Sequence, residues 1–567
     1  MGAPIQLLGA ARAFARDYAR DAMPRGYLWD VVDFVPSMID APLQGRGKWY
    51  WGSVATGVGD VQSGIVCPFK EGTQILVQTM ATLGGGAANC LQLNENPTDT
   101  ASSTWTTRGP SVHSIQHPVW FSVGGVEQAV NFDAATGTVP ELWRVSGAPV
   151  KVNSAHKPGR VGTVWADALF YGGAPGEEDV IRWSMPGIDL TAAGSFDANA
   201  FQPTSSRVTA LQSMRSQLLV FHPSSVQRLR GGPLTNTAAG IDDSGMIFEN
   251  LFERVGTAFP RTICMWNDQC IFLDEHGVNI TDGATLRSLT SMGGISYFWR
   301  MAYDGVAHVS ASTFLDYYIV SLRYDQTRPP PPLLHEGAGD PALQEELEAL
   351  PMLAIEPRDG RVPVPPLPPD LPDVRPPPPD NSGGAYEITL VCDLNRKQWF
   401  RLSNIKCISM FAGAGSQQNY AVMDKVYASI TGTARLARLA PMFYPNDGQP
   451  QVDDNGVNVL PRFETGWYRL SAEGRKRIRF AYLSYDARTF DTNTSPVRVG
   501  YLVSQSFGKD YQQAGTLPNS TGYKRLRLPI NKFPYGIAFY VEAVQQVGAL
   551  RIYDIGVEAQ SSERSRV

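Results

Sequence analysis

Residues 269 to 283, QCIFLDEHGVNITDG, set out a hairpin that returns along most of the chain. An apolar run from Cys270 to Leu273 meets a turn-forming Asp-Glu-His-Gly, after which Val278 and Ile280 alternate with Asn279 and Thr281 until Asp282-Gly283 closes the unit. The pattern predicts one buried strand and one half-exposed strand. Copies stand at 120–132 (WFSVGGVEQAVNF), 169–184 (LFYGGAPGEEDVIRWS) and 218–231 (LLVFHPSSVQRLRG). One central apolar residue per copy, Leu76, Phe121, Phe170, Val220, Phe272, Ile319 and Ala421, gives spacings of 45, 49, 50, 52, 47 and 102 residues. The last gap contains a Pro-rich block of 52 residues (329–380), and 102 minus 52 restores a spacing of 50.

Units of this length, made of short strands and Gly-rich turns, predict an all-β chain: a six- or seven-bladed β-propeller. A single large β-sandwich with irregular strands is the alternative. A four-stranded blade cannot bury both of its faces alone, so the units must stack around an axis and close. Function then lies in the axial channel, in the loops or in what is attached to the disc.

Net charge is −5, with 18% charged residues, which excludes a generally basic nucleic-acid binder while leaving room for a local basic surface. The 42 prolines and 54 glycines suit many turns. Six cysteines (Cys67, Cys90, Cys264, Cys270, Cys392, Cys407) contain no CxxC pair, and most sit in apolar strand runs, so buried free thiols are expected. Arg12, Arg16, Asp17 and Arg20 interrupt the N-terminal apolar pattern, which therefore lacks a signal-peptide core, and no run reaches membrane-spanning length. These features predict a chain kept in a reducing cytoplasm until assembly.

Taken in order, residues 1–53 read as a helical arm and lead-in, because Leu7, Ala11, Phe14 and Tyr18 line one face of a helix over 4–22. That arm packs on the propeller or docks on a neighbouring subunit. Residues 54–440 carry the blades, and closure can borrow a strand from the other end of the chain. The Pro-rich insertion 329–380 holds 17 of the 42 prolines, and its extended backbone cannot join a sheet, making it a solvated loop or a contact arm. Residues 441–567 form the last domain, where strand-like runs without blade spacing predict a small β-sandwich. From 462 to 567 there are 16 Lys and Arg against 9 Asp and Glu, a local +7. Arg475, Lys476, Arg477, Arg479, Lys524, Arg525 and Arg527 alternate with apolar residues there, which fits either polyanion contact or the polar face of a half-exposed sheet.

Catalytic signatures are sparse. His113 and His117 have metal-ligand spacing for a helix, but the flanking Pro110 and Pro118 favour extended chain and no zinc-protease Glu follows. Asp242-Asp243 lies in a Gly/Ser loop short of the oxygens calcium needs. No GxSxG elbow, Walker loop, Rossmann fingerprint or sialidase box is present, although distant carboxylates can still meet across a disc. No catalytic, metal or cofactor-binding residue is assigned.

The set RWSMPG (182–187), LLVFHPSSVQRLRGG (218–232), GVNITDG (277–283), SLTSMGGISYFWR (288–300) and VCDLNRKQWFR (391–401) resembles the β-propeller tail hub or nozzle proteins of tailed bacteriophages. The resemblance implies a structural virion protein without enzymatic activity or cofactor. It would form a homo-oligomeric ring, six subunits by analogy, around the path of ejected DNA and carry other tail proteins or fibres. A glycan- or receptor-binding module is the second reading and a propeller hydrolase the third. An exposed Tyr or Trp cluster with convergent polar groups would favour the second.

Overall fold

A computed structural model of the chain describes residues 5–8, 28–35, 43–46 and 50–51 and, with short gaps, 61–324, 387–412, 426–439 and 459–560. Among these residues, six four-stranded antiparallel units follow one another at 61–110, 119–151, 161–203, 210–253, 264–288 and 306–402, and a seventh unit begins with three strands at 407–438. Successive units meet in chain order around an axis, mostly first strand to first strand, with Ala210–Met214 of the fourth against Gln269–Asp274 of the fifth, and the first strand of the seventh (Cys407–Ala412) returns to that of the first (Val61–Phe69). This is a closed seven-bladed β-propeller. The seventh blade has only three strands of its own, and Tyr50–Trp51 supplies its outer strand through the register Ala437↔Trp51 and Arg438↔Tyr50.

Burial explains the apolar runs. The second strands of blades three, four and five, Ala168–Ala174, Gln217–Phe221 and Gln269–Asp274, are buried along nearly their whole length because neighbouring blades cover both faces. Phe221 and Phe272 meet edge to face across two blades, 5.0 Å between ring centroids. The following strand, Gly277–Thr281, is buried throughout, not half-exposed as its alternation suggests, since Asn279 and Thr281 face an adjacent layer. Six of the seven central residues are among the described residues; Phe121 lies in the first strand of its blade (Val119–Val123), where the other five occupy second strands. Ala421 lies outside the described residues.

Buried aspartates hold the turns. Asp274 accepts from the backbone N–H of His276 (2.8 Å) and Gly277 (2.7 Å), and Asp393 from those of Asn395 and Arg396 (both 3.0 Å). Around the axis, polar bonds tie non-consecutive chain segments: Gln116 Nε2 donates to the Gly162 carbonyl (2.8 Å), and the Met410 N–H to Ser310 Oγ (2.7 Å). The Pro-rich insertion falls between two strands of blade six, Tyr317–Tyr324 and Glu387–Asp393. They pair in unbroken register from Tyr317↔Asp393 to Arg323↔Glu387.

The outer strand of blade six, Gln398–Leu402, continues sideways into a second body. Leu28–Val32 pairs parallel to it and then antiparallel to Arg462–Thr465, and Gly536–Ala543, Val497–Ser504 and Lys509–Thr516 extend that sheet. A facing sheet holds Phe34–Val35, Leu43–Gly45, Ala549–Gln560, Arg477–Arg488 and Lys524–Lys532. Ile478, Leu483 and Tyr485 from one sheet and Val499, Phe539 and Val541 from the other belong to one buried core. The helix expected over 4–22 is corrected at its start: Ile5–Leu8 is a strand paired with Ala549–Gln560, and the rest of that stretch lies outside the described residues. At the junction, buried Arg46 donates through Nε to Asp33 Oδ1 (2.7 Å), and Ser403 N donates to the same oxygen (2.8 Å).

Candidate functional site

Of the two histidines with metal-ligand spacing, His117 alone is among the described residues, His113 lying outside them. The ring nitrogens of His117 are closed off from solvent beside Phe411 and Arg261. Burial, with the Arg261 charge second, pushes the His117 imidazole down to about 3, so it stands neutral. Asp242 uses its carboxylate on the Ser244 N–H (3.1 Å) in an exposed turn. No group of three or more His, Cys, Asp or Glu able to hold a metal occurs among the described residues.

The cysteines match the thiol expectation where they are described. Cys270, Cys392 and Cys407 are buried and free, Cys264 is free and half-buried, and burial pushes the Cys264 thiol up to about 12. Buried carboxylates have local partners: Asp33 has Arg46, Glu141 has Ser111 Oγ (2.8 Å) and Lys151 (3.2 Å), and Asp486 has Arg551 (3.5 Å). Among the described residues, no helix is long and apolar enough to cross a membrane.

The basic strands of the sandwich do form an arrangement. In Lys524–Lys532, Leu526, Leu528 and Ile530 turn toward the core, so Arg525 and Arg527 and the preceding Tyr523 stand on the outer face. Arg477–Arg488 runs beside it in the register Tyr482↔Arg527 and Ser484↔Arg525, placing Phe480, Tyr482 and Ser484 in the next row. Ala549–Gln560 adds Tyr553 and Glu558.

On this face the Arg525 guanidinium lies 4.5 Å from the Tyr482 ring centroid, and that of Arg527 lies 3.4 Å from the Phe480 centroid. The Tyr482 hydroxyl donates to Glu558 Oε2 (2.7 Å), a bond to a carboxylate that raises its pKa. Arg527 also reaches Glu558, at 3.7 Å. Tyr523 is 64% exposed, the highest value among the exposed large apolar side chains described. Its hydroxyl nevertheless bonds Ser484 Oγ (3.1 Å), and its ring meets Tyr553 edge to face at 5.3 Å. The result is one exposed ring, Tyr523, held by buried Ser484 and set beside the half-buried rings of Tyr482 and Tyr553, with the exposed guanidinium groups of Arg525 and Arg527 along its edge.

Sequence reasoning singled out Lys524, Arg525 and Arg527 but not the tyrosines between and beside them. The signal was present, because alternation from Tyr523 to Arg527 puts residues 523, 525 and 527 on one face. Arg475 and Lys476 lie outside the described residues, as does the side chain of Arg477.

No family model and no curated protein matches the sequence. Among solved structures, the chain is similar to a glycoside hydrolase at 8% identity and a TM-score of 0.25, covering 90% of this chain and 99% of that one. A glycoside hydrolase family 43 arabinoxylan arabinofuranohydrolase from Bacillus subtilis gives 9% identity and 0.21, with 88% and 96% covered. Sucrose-6-phosphate hydrolase from Lactobacillus gasseri gives 6% and 0.23, with 91% and 93% covered. These neighbours are carbohydrate enzymes and not virion proteins, and the expectation of a non-enzymatic phage tail hub conducting DNA is corrected on that finding. At such TM-scores the likeness assigns this chain neither a substrate nor a reaction.

Proposed function

We propose that the protein is directed at carbohydrate polymers and holds them on the outer face of its C-terminal sandwich. The observation that carries this reading is the immobilised, 64% exposed Tyr523 beside Tyr553 and Ser484. A sugar ring has an apolar face of C–H groups and a polar rim of hydroxyls. An aromatic ring flanked by hydrogen-bonding side chains meets both at once. Because the Tyr523 hydroxyl is already bonded and its ring already packed, little side-chain freedom remains to be lost on binding.

The test is native electrophoresis of the full chain through gels containing dextran, xylan, alginate or polygalacturonate. At least one polymer should retard the wild type, and Tyr523→Ala should migrate as in an empty gel while melting at the wild-type temperature. Absence of retardation by every polymer, or equal retardation of Tyr523→Ala, would remove the reading. Release of reducing ends from the retarding polymer reports whether retention is followed by cleavage.

A further inference from the structure

Resting on the carbohydrate reading, we infer that the polymer is acidic and that Arg525 reads its carboxylate or sulfate groups. The two outward arginines of this face differ in their surroundings. Arg527 shares Glu558 with the Tyr482 hydroxyl, so its charge is partly answered within the protein. Among the described residues no carboxylate pairs with Arg525. Its guanidinium lies over the Tyr482 ring, and the residue is exposed. Stacking on a ring leaves the N–H edges of the fork free for an oxyanion, whose paired oxygens, in a carboxylate or a sulfate, accept two parallel hydrogen bonds from arginine.

Position strengthens the argument. Arg525 lies two residues from Tyr523 on the same outward row, about 6–7 Å along the strand, so a ring stacked at Tyr523 can turn an acidic substituent toward Arg525. Ser484, which holds Tyr523, is the cross-strand partner of Arg525, so the aromatic contact and the cationic contact share one support. The chain from 462 to 567 carries 16 Lys and Arg against 9 Asp and Glu, so the field around the face also favours an anion.

The experiment compares alginate, a polyuronate, with neutral dextran and with inorganic polyphosphate, using the full chain and the variants Arg525→Gln, Arg527→Gln and Tyr523→Ala. Alginate should retard the wild type more than dextran, and the difference should shrink as salt rises. Arg525→Gln should weaken alginate binding about tenfold or more, the loss expected for a charge-assisted hydrogen bond, with a smaller change for Arg527→Gln. Equal retardation by alginate and dextran, unaffected by Arg525→Gln, would overturn the inference and leave the carbohydrate reading standing. Polyphosphate retarding as strongly as alginate, with Tyr523→Ala unchanged on both, would overturn it in favour of a surface that senses charge alone. Retardation by none of the polymers would overturn both.

Discussion

Arg46 and Asp33 form a 2.7 Å ion pair with almost no exposure at the point where the sandwich meets the sixth blade. Asp33 holds a left-handed backbone conformation (φ 57°), its N–H donates to the Arg401 carbonyl (2.9 Å), and Arg46 Nη2 donates to the Ser403 carbonyl (3.1 Å). Removing one partner strands the other charge away from water. Arg46→Met should therefore cost about 3–5 kcal/mol in urea unfolding, and adding Asp33→Leu should recover part of that loss. A single variant as stable as the wild type would show that the pair is not what joins the two bodies.

The Phe221–Phe272 contact predicts how firmly adjacent blades hold each other. Phe272 has no exposure, so Phe272→Ala should destabilise by about 3–5 kcal/mol. Glu275→Ala, whose side chain is 72% exposed, should change stability by less than about 0.5 kcal/mol. Similar shifts for the two variants would contradict the packing described.

Acid sensitivity should centre on His117, whose imidazole is held down to about 3 from an ordinary 6.5. Below about pH 6.5 the unfolded chain takes up a proton that the folded chain refuses, so stability falls with decreasing pH down to about 3. The slope from this group is about 1.4 kcal/mol per pH unit at its steepest. In His117→Asn the loss between pH 6 and pH 4 should be smaller than in the wild type. Parallel curves would place the acid sensitivity elsewhere.

Gly162 sits in the first strand of blade three where a Cβ would fall 2.1 Å from Phe132 Cζ and 2.7 Å from the Phe170 carbonyl oxygen. The ring can shift, but the backbone oxygen cannot without breaking strand pairing. Gly162→Ala should cost about 1–3 kcal/mol, read from thermal melting.

Replacing residues 329–380 with a short Gly-Ser turn should leave the fold intact, because the strands on either side pair without interruption and closure entropy changes slowly with loop length. Loss of cooperative melting in that deletion would tie the block to the core.

Much of the propeller was legible because its signal is local. The runs around Val220 and Phe272 are apolar strands ended by turns, and they stand where the spacing puts them. Phe121 falls one strand from where the spacing puts it because both hairpins of a blade look alike in sequence, and only pairing with later strands distinguishes them. Asn279 and Thr281 read as exposed because alternation signals a solvated face, whereas a blade between two others has none. Ile5–Leu8 has the spacing of a helix in sequence, because its strand partner, Val557 and its neighbours, lies at the far end of the chain. The candidate face was half legible. Charge drew attention to Arg525 and Arg527, while the hydroxyl bond that fixes Tyr523 depends on Ser484 of another strand.

The strand Tyr50–Trp51 leaves the ribosome long before Leu436–Arg438, the edge it completes. At about 5–20 residues per second, tens of seconds pass between the two. During that interval the ring has an open seam, and Leu28–Val32 waits still longer for Arg462–Thr465. Nascent chains halted before this point carry unsatisfied strand edges able to pair with one another, so slowed translation or premature termination should send this protein to aggregates or to chaperones.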